Sequence, residues 1–74
     1  MLNEKLIKIY RDLEYSKRQE MLRIICELTL VEKPTYWGWM QGNSIPYRKR
    51  VIISQFMNIE EKDLFPEYET DMQK

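Results

Sequence analysis

Apolar residues near the start of the chain recur at the spacing of a helix. Leu2, Leu6, Ile9 and Leu13 step by four, three and four positions, and charged residues fill the positions between them. This spacing places the four side chains on one stripe of a helix and leaves the charged residues on the other faces. The pattern therefore predicts a first helix whose apolar stripe packs on a core.

A second helix is predicted to begin at Ser16. The Ser16 hydroxyl can accept a hydrogen bond from the backbone N–H groups that follow, and Gln19 stands three residues further on, as a capping box requires. The apolar residues that follow predict its core face, which consists of Met21, Leu22, Ile25, Cys26 and Leu28.

A third helix is predicted over residues 33–41. Pro34 suits the first turn of a helix, because the N–H that proline lacks has no partner there. Gly42 stands where a left-handed residue ends a helix, and "GNSIP" continues as a loop. Along this helix the spacing puts Tyr36, Trp39 and Met40 on one face, which we assign to the core.

The last third of the chain predicts a longer helix and one further helical turn. Pro46 opens the fourth helix and Asn58 ends it, since asparagine tolerates a left-handed backbone. Its apolar side consists of Val51, Ile52, Ile53, Phe56 and Met57. A turn over 60–65 then packs Leu64 and Phe65 on the core. We expect an all-α compact bundle of four to five short helices, with one domain over 1–66 and a frayed acidic tail over 67–74.

Composition excludes several classes of function. The 74 residues include one cysteine and no histidine, so an intramolecular disulfide is ruled out and the commonest metal ligand and acid–base group is missing. No glycine-rich phosphate loop and no paired metal ligands are visible, so we expect no enzyme, no metal, no cofactor and no small-molecule substrate. No apolar run approaches the ~20 residues of a membrane span, and we expect a cytoplasmic protein that binds no membrane.

The charges are unevenly distributed although they sum to zero. Residues 1–32 carry six acids and six bases, and residues 60–74 carry six acids and two bases. Residues 33–59 carry four bases and no acid. The middle of the chain is therefore locally electropositive, which favours an anionic partner.

The middle of the chain resembles a known DNA-binding family. The residues on which the resemblance rests are Thr35, Tyr36, Trp39, Gly42, Pro46, Ile53, Ser54, Met57, Ile59, Leu64 and Phe65, preceded by Ile25, Cys26 and Val31. Their joint spacing, without a gap, is similar to that of the lambda-repressor-like, Cro/repressor-type helix-turn-helix family. The resemblance covers residues 16 to 65. It implies a central helix-turn-helix, in which Cys26 is the small, inert residue at the closest approach of two helices.

The resemblance also implies a function and a set of contacts. It makes the chain a sequence-specific binder of double-stranded DNA and a small transcriptional regulator, with helix 33–41 in the major groove. The residues implied to contact bases are Lys33, Pro34, Trp37, Gly38 and Gln41. The residues expected to reach phosphates are Asn43, Ser44, Tyr47, Arg48, Lys49 and Arg50, with Lys17 and Arg18 as a second group.

Two departures from the family pattern, one alternative function and one expected assembly accompany this expectation. Leu30 replaces the glycine that the family often has in its turn, so we expect a wider or differently closed turn. Gly38 occupies a position where relatives often carry a polar side chain. An adaptor that uses Trp37 as its anchor for a protein partner is the alternative function. A homodimer is a further expectation, through helix one, the Phe65 region or Tyr68.

Overall fold

A computed structural model of the protein describes residues 1–68. Most of the expected acidic tail, residues 69–74, lies outside this part of the chain. The elements are α1 (Glu4–Asp12), α2 (Tyr15–Thr29), α3 (Lys33–Met40), α4 (Tyr47–Met57), α5 (Glu61–Leu64) and a 3-10 turn (Pro66–Tyr68). Residues 1–68 contain no strand, and the expected all-α bundle of short helices is confirmed.

One apolar core holds the helices together. Its buried members come from every element, and they are Leu6, Tyr10, Met21, Leu22, Ile25, Tyr36, Trp39, Ile45, Ile53, Leu64, Phe65 and Tyr68. Leu2, Ile9 and Leu13 of the predicted first stripe pack against this core while half-buried. Each large apolar side chain that is removed from water contributes about 2 kcal/mol, so this shared core is the main term that keeps short helices folded.

The start of α2 differs from the prediction. Ser16 does not cap the helix, which begins at Tyr15 with Glu14 at the N-cap and no side-chain capping bond. The N–H of Arg18 already donates to the carbonyl of Glu14 at 2.9 Å, so Ser16 lies inside the first helical turn. Its hydroxyl is therefore in the wrong place to accept from the first free N–H groups.

Two residues that were assigned to the core are exposed. Leu28 on α2 is 47% exposed and Phe56 on α4 is 38% exposed. On α2 the buried stripe passes instead through Thr29, whose hydroxyl donates to the carbonyl of Ile25 at 2.6 Å. Because neighbouring residues of a helix are about 100° apart, burying Thr29 turns Leu28 toward solvent.

The turns follow the expected positions. Gly42 (φ 101°) and Asn58 (φ 59°) end α3 and α4 in the left-handed conformation, as predicted. Leu30 also adopts it, with φ 58° and ψ 43°. The turn between α2 and α3 spans three residues and closes with Leu30 in the conformation that glycine adopts without strain.

The packed domain extends past the predicted boundary at residue 66. Tyr68, which was assigned to the tail, is only 4% exposed. Its ring packs edge-on against Phe65 at a centroid distance of 5.8 Å. The backbone N–H of Ile45 donates to its hydroxyl at 2.9 Å. Both the apolar ring and the hydroxyl have partners in the core, which explains why the chain stays packed to this point.

Candidate nucleic-acid interface

The two faces of α3 have different environments. Tyr36 and Trp39 are buried, at 0% and 3% exposure, as the spacing predicted. Lys33, Trp37 and Gln41, which follow one another at intervals of four, are exposed. Pro34 is also exposed and Gly38 is half-exposed. We call these five residues, Lys33, Pro34, Trp37, Gly38 and Gln41, the α3 strip. The structure thus brings together on one surface all five residues that were predicted to contact bases.

Trp37 is held firmly although it is 40% exposed. Its ring stands edge-on to Tyr10 of α1 at 5.8 Å and to Tyr36 at 5.5 Å. Such perpendicular aromatic contacts fix a ring in one orientation. Trp37 therefore presents a defined apolar edge to solvent at the middle of the α3 strip.

Gly38 lies beneath the side chain of Asn43. A Cβ built on Gly38 would lie 2.7 Å from the amide nitrogen of Asn43. Asn43 is thereby brought to the edge of the α3 strip, and its own N–H donates to the carbonyl of Gly38 at 3.0 Å. The absence of a side chain at Gly38 makes room for this amide, a role that the sequence did not indicate.

The far end of α3 is fixed by a residue from the opposite end of the chain. Asn3 is fully buried, and its side-chain nitrogen donates to the carbonyls of Trp39 at 2.9 Å and Asn43 at 2.8 Å. Its side-chain oxygen accepts from the hydroxyl of Tyr68 at 2.7 Å. Asn3 and Tyr68 therefore position the end of the α3 strip, and no pattern in the sequence marked either of them.

A cleft separates the start of the α3 strip from α2. Lys33 lines it together with Arg23 and Cys26 of α2. Arg23 was not among the predicted contacts, and its guanidinium reaches Glu27 at 3.1 Å on the exposed surface. Burial raises the pKa of the Cys26 thiol, while the ammonium of Lys33 acts in the opposite direction. Cys26 is therefore a neutral thiol near pH 7, as expected of a structural cysteine.

The cations at the start of α4 are not equivalent. Arg48 and Tyr47 are exposed, and Ser44 before them is exposed as well. Lys49 is half-buried, and its ammonium donates to the carbonyl of Thr29 at the end of α2, at 2.8 Å. Among the cations of this turn, Arg48 is thus the most accessible for a phosphate.

Arg50 is not free to reach a phosphate, contrary to the prediction. It is only 6% exposed, and its Nε donates to the carboxylate of Glu61 at 2.8 Å. Its guanidinium also lies over the ring of Tyr68 at 3.9 Å and donates to the carbonyl of Ile45. A carboxylate, a carbonyl and an aromatic face together satisfy the buried cation, so Arg50 joins α4, α5 and the 3-10 turn.

Lys17 and Arg18, the second pair of residues expected to contact phosphates, do not lie at the α3 strip. Lys17 is exposed on the flank of α2 that faces α1 and α4, where it lies 3.9 Å from Glu20. Arg18 is half-buried, and its Nε has no hydrogen-bond partner within residues 1–68. The cleft beside Lys33 lies on the other flank of α2, so Arg23 replaces this pair as the nearer cation.

No model of a protein family, no curated protein and no solved structure matches the chain. Across residues 1–68, none of the helices has both the length and the apolar character needed to cross a bilayer.

Two of the surfaces expected to form a homodimer are unsuitable, because Phe65 and Tyr68 are buried in the core.

Proposed function

We propose that the chain binds double-stranded DNA in a sequence-specific manner, as a small transcriptional regulator with the α3 strip in the major groove. The observation that carries the proposal is the separation of the two faces of α3. Tyr36 and Trp39 fix the helix in the core, while Lys33, Trp37 and Gln41 remain accessible. The resemblance to lambda-repressor-like helix-turn-helix proteins points to the same face.

The dimensions of the α3 strip suit a groove. An α-helix with its side chains is about 10–12 Å across, and the major groove is about 12 Å wide. The first turn of α4 follows a loop of six residues, so Arg48 can contact phosphates while the strip lies in the groove. Arg23, beside Lys33, supplies a second cation for the backbone.

The chemistry of the strip predicts which bases it reads. Lys33 can donate to the O6 and N7 acceptors of guanine, and Gln41 can bond adenine in two places. The exposed edge of Trp37 can pack on the methyl group of thymine. One module would read about four base pairs, so a homodimer on a two-fold site is part of the proposal.

Selection from a random pool of duplexes tests the proposal most broadly. The expected result is an enriched site in which guanine, adenine and thymine recur at fixed spacing. With phosphate contacts from Arg48 and Arg23, the logarithm of the binding constant should fall with the logarithm of salt concentration with a slope of about −2 for each module. A pool that stays unenriched, at low salt as well as at physiological salt, would contradict DNA binding.

An adaptor that binds protein through Trp37 remains the second candidate. It is favoured by the fixed, 40% exposed ring of Trp37 and by the net charge of zero. The two candidate functions predict different effects of the substitution Arg48→Ala. This change should weaken binding to a selected duplex, because it removes a phosphate contact, whereas an anchor made by Trp37 alone would be unaffected by it.

A further inference from the structure

An apolar groove lies on the flank of α2 that faces away from Lys33. Its walls are Ile9 of α1 with Leu13 just after that helix, Met21 and Ile24 of α2, and Phe56 and Met57 of α4. Phe56 is 38% exposed at its edge. Exposed apolar walls of this kind cost about 25 cal/mol per Å² in contact with water, so covering them is favourable.

A protruding apolar side chain stands next to the groove. Leu28 follows Ile24 by one turn of α2 and is 47% exposed. The bond from Lys49 to the carbonyl of Thr29 holds the start of α4 against this end of α2. The surface therefore has a projection at one end, Leu28, and a depression at the other, bordered by Ile9 and Leu13.

The rim of the groove carries one charge of each sign. Lys17 and Glu20 both line it, 3.9 Å apart and largely exposed. A partner of strongly positive or negative charge would meet a like charge here. A two-fold axis between these residues would instead place Lys17 opposite Glu20 of the other copy.

We propose that the occupant of this groove is a second copy of the same chain, related by a two-fold axis. Under that symmetry the apolar walls of each copy can be covered by those of the other, and the rim charges pair in both directions. The net charge of zero adds no repulsion between the copies. Because Lys33 borders the opposite flank of α2, this dimer leaves the α3 strip accessible.

Exchanging the rim charges tests the proposal in the absence of DNA, by sedimentation or light scattering of the full chain. The wild type should show a concentration-dependent mass that rises toward about twice 9.2 kDa. Lys17→Glu alone and Glu20→Lys alone should each weaken self-association about tenfold, since each change occurs twice in the dimer. An equimolar mixture of the two variants should associate, because their rims are complementary.

Association of the mixed variants would show that residues 17 and 20 pair between two copies, because neither variant can form the Lys17–Glu20 pair within its own chain. Two variants that stay monomeric when mixed would overturn the proposal, as would a wild type of 9.2 kDa at every concentration. Leu28→Glu should also abolish association while the circular dichroism stays helical. Tyr15→Glu is its matched control, because Tyr15 is 70% exposed on α2 and does not line the groove. Since no DNA is present, failure here would remove the homodimer from the proposed function but leave DNA binding by a single α3 strip untouched. Failure of DNA binding would in turn leave the dimer untouched.

Discussion

Asn3 and Tyr68 lie 65 positions apart and share a buried hydrogen bond of 2.7 Å. Asn3 also donates to the carbonyls of Trp39 and Asn43, and the hydroxyl of Tyr68 also accepts from the N–H of Ile45, so these bonds form one network. The two ends of the described chain are thus joined beneath the loop that follows α3. A surface formed by α3 owes its shape to a network that does not itself face solvent.

Removing either member of this network should destabilise the fold. Asn3→Ala leaves the buried carbonyl of Trp39 and the partly buried carbonyl of Asn43 without their donor, and it should lower the free energy of unfolding by about 3 kcal/mol. Tyr68→Phe leaves the N–H of Ile45 unpaired and should cost about 2 kcal/mol. Chemical denaturation followed by circular dichroism measures both changes. A double variant whose loss equals the sum of the two would show that the residues are not coupled.

Leu30→Gly should stabilise the protein. Leu30 is 89% exposed and holds φ 58°, so its side chain contributes little burial and its backbone is strained. Glycine adopts this conformation without a steric penalty, and the gain should be about 1 kcal/mol. Leu30→Ala is the matched control, because it removes the side chain but keeps the Cβ. The midpoint of thermal unfolding should be higher for the glycine variant than for the wild type, and the alanine variant should resemble the wild type. Equal midpoints of all three proteins would argue against strain at Leu30.

Tyr36→Phe should leave the fold intact and raise its stability by about 1 kcal/mol. The Tyr36 hydroxyl is buried and has no hydrogen-bond partner within residues 1–68, so phenylalanine removes an unsatisfied group without leaving a cavity. A loss of stability above 1 kcal/mol would indicate that the hydroxyl has a partner in solution.

The same residue predicts a dependence on alkaline pH. Burial, followed by the neighbouring Tyr10 and Cys26, raises the pKa of Tyr36 above its ordinary value of 10.0. The folded chain therefore keeps a proton that the unfolded chain releases near pH 10. The stabilisation is complete below pH 10 and is lost as pH rises further. Denaturation at pH 8 to 11 should show a steeper loss for the wild type than for Tyr36→Phe, and parallel curves would contradict the shift.

Arg48 and Arg50 should behave oppositely although they are two residues apart. Arg50→Ala leaves the half-buried carboxylate of Glu61 unpaired and should cost about 3 kcal/mol of stability. Arg48→Ala should leave the thermal midpoint unchanged and weaken DNA binding. Unfolding curves of the two variants, measured side by side, check the difference. A stable Arg50→Ala protein would contradict the role assigned to the buried pair.

Several features of the fold and site could be predicted because they depend on neighbours in the sequence. Gly42 and Asn58 ended helices as expected, since the left-handed conformation suits these residues locally. The division of α3 into a core face and an outer face followed from the spacing of Tyr36, Trp39 and Trp37. A helical repeat determines which side chains share a face, and that is enough to define the strip.

The remaining features depend on contacts between distant parts of the chain. The repeat on α2 allowed either Leu28 or Thr29 to face inward, and only the approach of α4 decides between them. Arg50 was read as a surface cation because its partner Glu61 lies eleven positions away on another helix. Tyr68 stands in a polar, acidic stretch, and its burial requires Asn3 from the other end of the molecule.

The central claim is that the outer face of α3 reads DNA, and paired substitutions on that face test it most directly. Lys33→Ala with Gln41→Ala removes a charge and an amide from the α3 strip. Lys8→Ala with Gln55→Ala removes the same groups from exposed positions on α1 and α4 and is the matched control. The decisive measurement is the affinity of each double variant for a selected duplex at fixed salt. We predict a loss of at least about 30-fold for the first pair, from two base contacts of about 1–3 kcal/mol each, with an unchanged thermal midpoint, and little loss for the second. Equal affinities of the two double variants would contradict the claim.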